Sequence, residues 1–111
     1  MPTPAIDRAA LATAAVALAL GCRGGPPPAP RLHTVAIRAM AFEPARLEVR
    51  VGDEIEWVND DLVPHTATAP GAFDSAIIAP AARWRTRVTR PGDVAYACTL
   101  HPMMTGTVQI R

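Results

Sequence analysis

Alternation of apolar and polar residues with a period of two, broken at short intervals by turn formers, constrains this chain more than any other feature. Leu47, Val49 and Val51 alternate with Arg46, Glu48 and Arg50. Ile55 and Trp57 alternate with Glu54, Glu56 and Val58, and Trp84, Thr86 and Val88 with Arg83, Arg85 and Arg87. Further on, Val94, Tyr96 and Cys98 share one face, and Val108 and Ile110 share another. Successive side chains of a strand point to opposite faces, so each run offers one face to a core and one to water. Val51-Gly52-Asp53, Asn59-Asp60-Asp61, Pro70-Gly71 and Arg90-Pro91-Gly92-Asp93 separate the runs with residues that favour tight turns. No window carries a convincing amphipathic helix of ten residues. Short strands at roughly 8–12-residue spacing argue for an all-β sandwich, a single apolar slab between two sheets with loops gathered at its ends.

The strands do not begin at once. Of the first 21 residues 14 are apolar, against 41 of the remaining 90. Ala9–Leu20 is an uncharged run of 12 residues behind Arg8. It is too short to span a bilayer, which takes about 20 residues, and has the length of an export-signal core. It ends in Leu18-Ala19-Leu20-Gly21-Cys22, which resembles a bacterial lipoprotein signal with Cys22 as the lipidated first residue. Cleavage near Gly21–Gly25 without lipid is the plainer alternative. Both put the chain outside the cytoplasm, in the periplasm or beyond. Residues 22–31 follow as a Pro/Gly-rich linker, with four prolines among residues 26–30. Such a segment favours polyproline II and reaches roughly 25 Å at about 3.1 Å per residue. The organisation expected is therefore a signal over 1–21, a tether over 22–31 and one domain over 32–111. A domain of 80 residues buries only about 60–65% of its chain surface, which makes a bound metal an attractive source of stability.

The chemistry is concentrated in Cys98-Thr99-Leu100-His101-Pro102-Met103-Met104, just where a strand ends. Cys98, His101 and a following Met fall within one tight turn. A second histidine, His65, stands in Val63-Pro64-His65-Thr66 after another strand end. Two imidazoles, a thiolate and a weak thioether form the blue-copper electron-transfer set, whereas Met is a poor ligand for zinc. Ligands drawn from two loops held by one scaffold would be kept in place in both copper oxidation states, which favours rapid electron exchange. A nucleophilic Cys–His pair would need an orienting third group and a substrate cleft. Neither is visible, so no enzymatic role is expected. A Cys22–Cys98 bridge is the other use of the two cysteines, but a lipid acceptor and a strand-end ligand are poor partners.

At this point the chain resembles the cupredoxins, especially the amicyanin, pseudoazurin and plastocyanin group. The resemblance rests on Phe42-Glu43-Pro44, on Val49-Arg50-Val51-Gly52-Asp53-Glu54-Ile55-Glu56-Trp57-Val58-Asn59, on Pro64-His65, and on the segment Tyr96–Met104 with Gly106. It implies an eight-stranded Greek-key sandwich with one type 1 copper at one end, held by His65, Cys98, His101 and the axial Met104. Met103 is the competitor for the axial place and is expected to point outward. The family also implies an apolar docking patch around His101, here Met40, Pro64, Leu100, Pro102 and Met103. Two departures stand out. Thr66 replaces an Asn that ties the two ligand loops in many relatives, so a looser tie is expected. Leu100 replaces a frequent Pro, which frees an N–H that could reach the Cys98 sulfur.

The function expected is a blue-copper electron carrier shuttling single electrons between extracytoplasmic partners. Those partners would be transient redox proteins such as a c-type cytochrome or a dehydrogenase or oxidase. A periplasmic copper carrier or buffer using the same site is the alternative. The chain is expected to be a monomer, anchored to a bacterial membrane through lipid. A formal net charge of +1 gives no argument for nucleic acid. Arg83, Arg85, Arg87 and Arg90 form a basic stripe, read either as a solvated strand face or as an attractor for an acidic partner. His33, outside both motifs, is expected to be exposed or at an edge.

Overall fold

The structure is a computed structural model that describes residues 25–26 and 28–111. The export signal and the lipid-acceptor role of Cys22 lie outside the described residues. The strands are β1 (Leu32–Arg38), β2 (Ala41–Glu43), β3 (Arg46–Val49), β4 (Glu54–Asn59), β5 (Thr68–Ala69), β6 (Phe73–Asp74), β7 (Arg83–Arg87), β8 (Gly92–Ala97) and β9 (Thr105–Ile110). The described residues contain no helix. Among the described residues the strands number nine rather than about eight, β5 and β6 being only two residues each.

Two sheets form, in the orders β2-β1-β4-β7 and β3-β9-β8-β5-β6. Pairs β1–β4 and β3–β9 are parallel and the remaining pairs antiparallel. The chain passes repeatedly from one sheet to the other, which makes a Greek-key sandwich of the kind the cupredoxin resemblance implies. The period-two runs set which residues meet inside. Val35 and Ile37 of β1, Ile55 and Trp57 of β4, Tyr96 of β8, and Val108 and Ile110 of β9 are all buried. Trp57 lies at the centre, its ring 5.1 Å from Phe73, 5.4 Å from Tyr96 and 5.6 Å from Trp84. Aromatic contacts thus join the two sheets, each contributing about 0.5–1.5 kcal/mol beyond its buried area.

Two expectations about charge are corrected or resolved. His33 is neither exposed nor on an edge: β1 is an inner strand of its sheet, and the ring packs inward with Nε2 2.8 Å from Asp53 Oδ2. The arginine stripe faces the acidic side of the adjacent strand. Arg83 and Arg85 bond the two oxygens of Glu56 at 3.2 and 3.1 Å, and Arg87 lies 3.7 Å from Glu54. The β4–β7 register brings these residues opposite one another, so most of the stripe's charge is matched on the sheet itself.

The two ends of the sandwich differ. One end gathers the β1–β2 turn and the loops after β4 and β8. The other holds Arg31, the β3–β4 turn and the C-terminal end of β9, where Asp53 accepts the N–H groups of Arg31 and Arg50.

Candidate metal centre

Cys98 is the first residue beyond β8 and is fully buried. The loop it opens folds back through three backbone hydrogen bonds. His101 N–H donates to Cys98 O at 3.3 Å, Met104 N–H to His101 O at 2.8 Å, and Cys98 N–H to Met104 O at 3.1 Å. This turn brings His101 and Met104 back toward Cys98. Met104 is buried, and Met103 is almost wholly exposed.

His65 comes from the loop after β4. It exchanges backbone hydrogen bonds with Ile78, at 3.2 and 2.7 Å, as an isolated bridge. Asn59, the last residue of β4, is buried, and its side-chain amide donates to Val63 O and Ile78 O, both at 2.9 Å. It thereby braces the loop just before His65. The His65 ring is fully buried, and its Nε2 lies 2.8 Å from Asp61 Oδ2.

That arrangement leaves His65 Nδ1 facing the sulfur, 3.8 Å from Cys98 Sγ. His101 Nδ1 is 3.6 Å from the same sulfur, and the three donor atoms lie within 4.8 Å of one another. Three donor atoms this close together, from two imidazoles and a thiol, could bind one ion in common. The donor set therefore fits one metal ion, and its softness fits copper.

The two loops are tied directly. Thr66 N–H donates to Cys98 Sγ at 3.3 Å, while Thr66 Oγ1 accepts the Thr99 N–H at 2.9 Å. The same hydroxyl lies 3.0 Å from Thr68 Oγ1 and 3.2 Å from Thr99 Oγ1. The Thr66 hydroxyl thus reaches Thr99, so the two loops are tied across this position. Among the described residues, the backbone donor to the sulfur is Thr66 and not Leu100.

Asp61 is a residue whose role was not legible in sequence, where it reads only as part of a turn. Burial pushes its carboxyl up, but the Met40 N–H, the His65 ring and the Ala39 N–H together hold it below the usual carboxylate range. His101 is partly exposed, and Met40, Pro64, Leu100, Pro102 and Met103 are each exposed. Leu62, 94% exposed, and Val63 add to the exposed apolar residues of the His65 loop and were not anticipated.

A statistical model of a family described as copper binding proteins, plastocyanin/azurin family, matches residues 30–111. Amicyanin of Paracoccus denitrificans is 32% identical over 83 residues, covering 69% of this chain and 63% of the relative. Amicyanin-alpha of Methylorubrum extorquens is 31% identical over 106 residues, covering 89% of each. Among solved structures, a copper(I) form of an amicyanin variant superposes with a TM-score of 0.69 at 28% identity, over 72% of this chain and 82% of that one. A copper-containing nitrite reductase from Thermus scotoductus gives 0.68 at 29% identity, over 77% of this chain but 23% of the enzyme. Fold, donor set and relatives agree: the chain belongs to the cupredoxins, within the plastocyanin/azurin family of copper-binding proteins.

Proposed function

We propose that this protein is a type 1 blue-copper electron carrier in which His65, Cys98, His101 and Met104 hold one copper ion. The observation that carries the reading is the convergence of His65 Nδ1, Cys98 Sγ and His101 Nδ1 from two separated loops. A copper ion bound there supplies a one-electron couple. Everything else is the work of the protein. Buried Cys98 and His65 are held by backbone bonds and by Asp61, so the donors need little rearrangement when the charge at the site changes. Buried Met104 would supply the fourth, weak thioether donor, which would tune the potential. His101 is partly exposed within the apolar surface, which makes it the exit for electrons. That surface of Met40, Pro64, Leu100, Pro102 and Met103 suits brief encounters with redox proteins, because small interfaces release quickly.

We read the chain as a carrier rather than an enzyme because its donors converge on a single site and it matches an amicyanin over 89% of that relative's length. We further propose an export signal over residues 1–21, a tether over 22–31 and a lipid-anchored, extracytoplasmic monomer with Cys22 as the lipid acceptor. Mass spectrometry of the mature N-terminus tests the anchor, and Cys22→Ser should release the protein from the membrane fraction.

The test of the site is a visible spectrum. Copper-loaded wild type should show an intense thiolate-to-copper band, and Cys98→Ser should lose it entirely. A variant as blue as wild type removes Cys98 from the site. Slow loss of copper(I) to a chelator with fast electron self-exchange supports electron transfer; rapid copper(I) handover would favour a copper carrier instead.

A further inference from the structure

One carboxylate links the most buried histidine of the site to the neighbouring turn. Asp61 Oδ2 lies 2.8 Å from His65 Nε2 and accepts the Met40 N–H at 3.0 Å. Its other oxygen accepts the Ala39 N–H at 2.7 Å. Asp61 is itself oriented, since its own N–H donates to Asn59 Oδ1 at 2.9 Å. Ala39 and Met40 both have positive φ, 52° and 61°, a conformation that needs such bonds to persist. The side chain of Asp61 is 14% exposed and that of His65 is fully buried, so water screens their contact little.

We propose that Asp61 is a positioning residue that fixes the His65 tautomer and sets the balance of the site between copper(II) and copper(I). The inference rests on the copper-site reading above. Its physical basis has two parts. A proton held on Nε2 by the carboxylate leaves the Nδ1 lone pair facing Cys98 Sγ, ready to bind metal. A carboxylate on the far nitrogen also makes the imidazole a stronger donor. The oxidised site carries one more positive charge than the reduced site, so the nearby carboxylate stabilises it more and lowers the reduction potential. The neutral amide of Asp61→Asn removes that preference. It also places a donor NH₂ where one oxygen now accepts.

The test uses the full chain as wild type, Asp61→Asn and Asp61→Glu. Nitrogen NMR of the metal-free wild type should find the His65 proton on Nε2. Copper-loaded Asp61→Asn should remain blue and lose about 10–100-fold in copper(II) affinity. Its copper(I) affinity should fall less, so that its reduction potential rises. Asp61→Glu, which keeps the charge, should restore much of the wild-type potential.

A role confined to the Ala39–Met40 turn would lower stability without moving the potential. A blue Asp61→Asn with wild-type potential and an unchanged ratio of affinities overturns the inference and leaves the copper site standing. A wild-type proton on Nδ1 overturns it without any variant, even if Asp61→Asn fails to fold. A wild type that never turns blue removes the electron-carrier reading, and the tuning role with it.

Discussion

Asp53 closes the end of the sandwich far from Cys98 with a single carboxylate. It accepts the backbone N–H groups of Arg31 at 2.9 Å and Arg50 at 3.0 Å, and lies 2.8 Å from His33 Nε2. The Arg31 N–H leads, the Arg50 N–H follows and His33 adds to them; together they hold the carboxyl at about 2, below its ordinary 3.8. A folded-state value below the unfolded one means stability that is fully present above about pH 4. It drains away as the pH falls through about 2. The effect is worth roughly 2 kcal/mol at neutral pH. Asp53→Asn should therefore lower stability by about that amount and flatten the loss between pH 4 and 2. Urea unfolding across that range measures it, and an acid limb as steep as wild type would show that Asp53 does not carry it. The tie joins the first residues of the domain to the β3–β4 turn. Sequence could read Gly52-Asp53 as a turn, but not that His33 lies beside it. Spacing along the chain says nothing about a contact 20 residues away. Asp61 and Thr66 were opaque for the same reason: Ala39 and Met40, which bond Asp61, and Cys98 and Thr99, which bond Thr66, sit on other loops.

At the scale of elements, the long strands were readable because each keeps one clean face. β4 and β8 frame the site, with Ile55 and Trp57 on the core face of β4 and Tyr96 on that of β8. β5 and β6 were not readable, since two residues cannot display a period. β7 was readable as a strand, but the role of its arginines needed the register with β4, where buried Glu56 meets both Arg83 and Arg85. The pairing of β8 with β9 yields a sharper test. Gly106 lies opposite Tyr96, and a Cβ built there would stand 2.5 Å from Tyr96 Cζ and 2.6 Å from its hydroxyl oxygen. The ring itself is confined by Phe42 at 4.6 Å and by Trp57 at 5.4 Å. It cannot swing aside without disturbing the centre of the core. Gly106→Ala should cost about 1–3 kcal/mol, the usual range for overpacking. In a Tyr96→Ala background the same change should cost far less, because the colliding ring is gone. Equal costs in both backgrounds would mean that the strain lies in the backbone and not in the ring.

For the whole molecule, topology decides which end faces what. β1 starts beside Glu54 at the Asp53 end, whereas the donor atoms stand beyond Asn59 of β4 and Ala97 of β8. In the proposed lipid-anchored form, the tether would therefore join the domain at the end opposite the copper donors. The two ends should also respond differently to metal. Copper would bridge the loops after β4 and β8, which are otherwise joined by Thr66 with Thr99 and with the Cys98 sulfur. A ligand that binds only the folded state adds about 4 kcal/mol at a thousandfold excess over its Kd. In a domain of this size each kcal/mol moves Tm by about 4–8 °C, so copper should raise Tm by roughly 15 °C or more. Calorimetry with and without copper measures this, and apo and loaded forms that melt within a few degrees would deny the metal any crosslinking role. The location of the effect can be checked with two variants. Asp53→Asn, at the far end, should lower the Tm of both forms about equally, since it touches neither loop. Thr66→Val removes the hydroxyl that accepts the Thr99 N–H but keeps the backbone donor to the sulfur. It should destabilise the apoprotein more than the copper form, because bound metal holds the same two loops in its place.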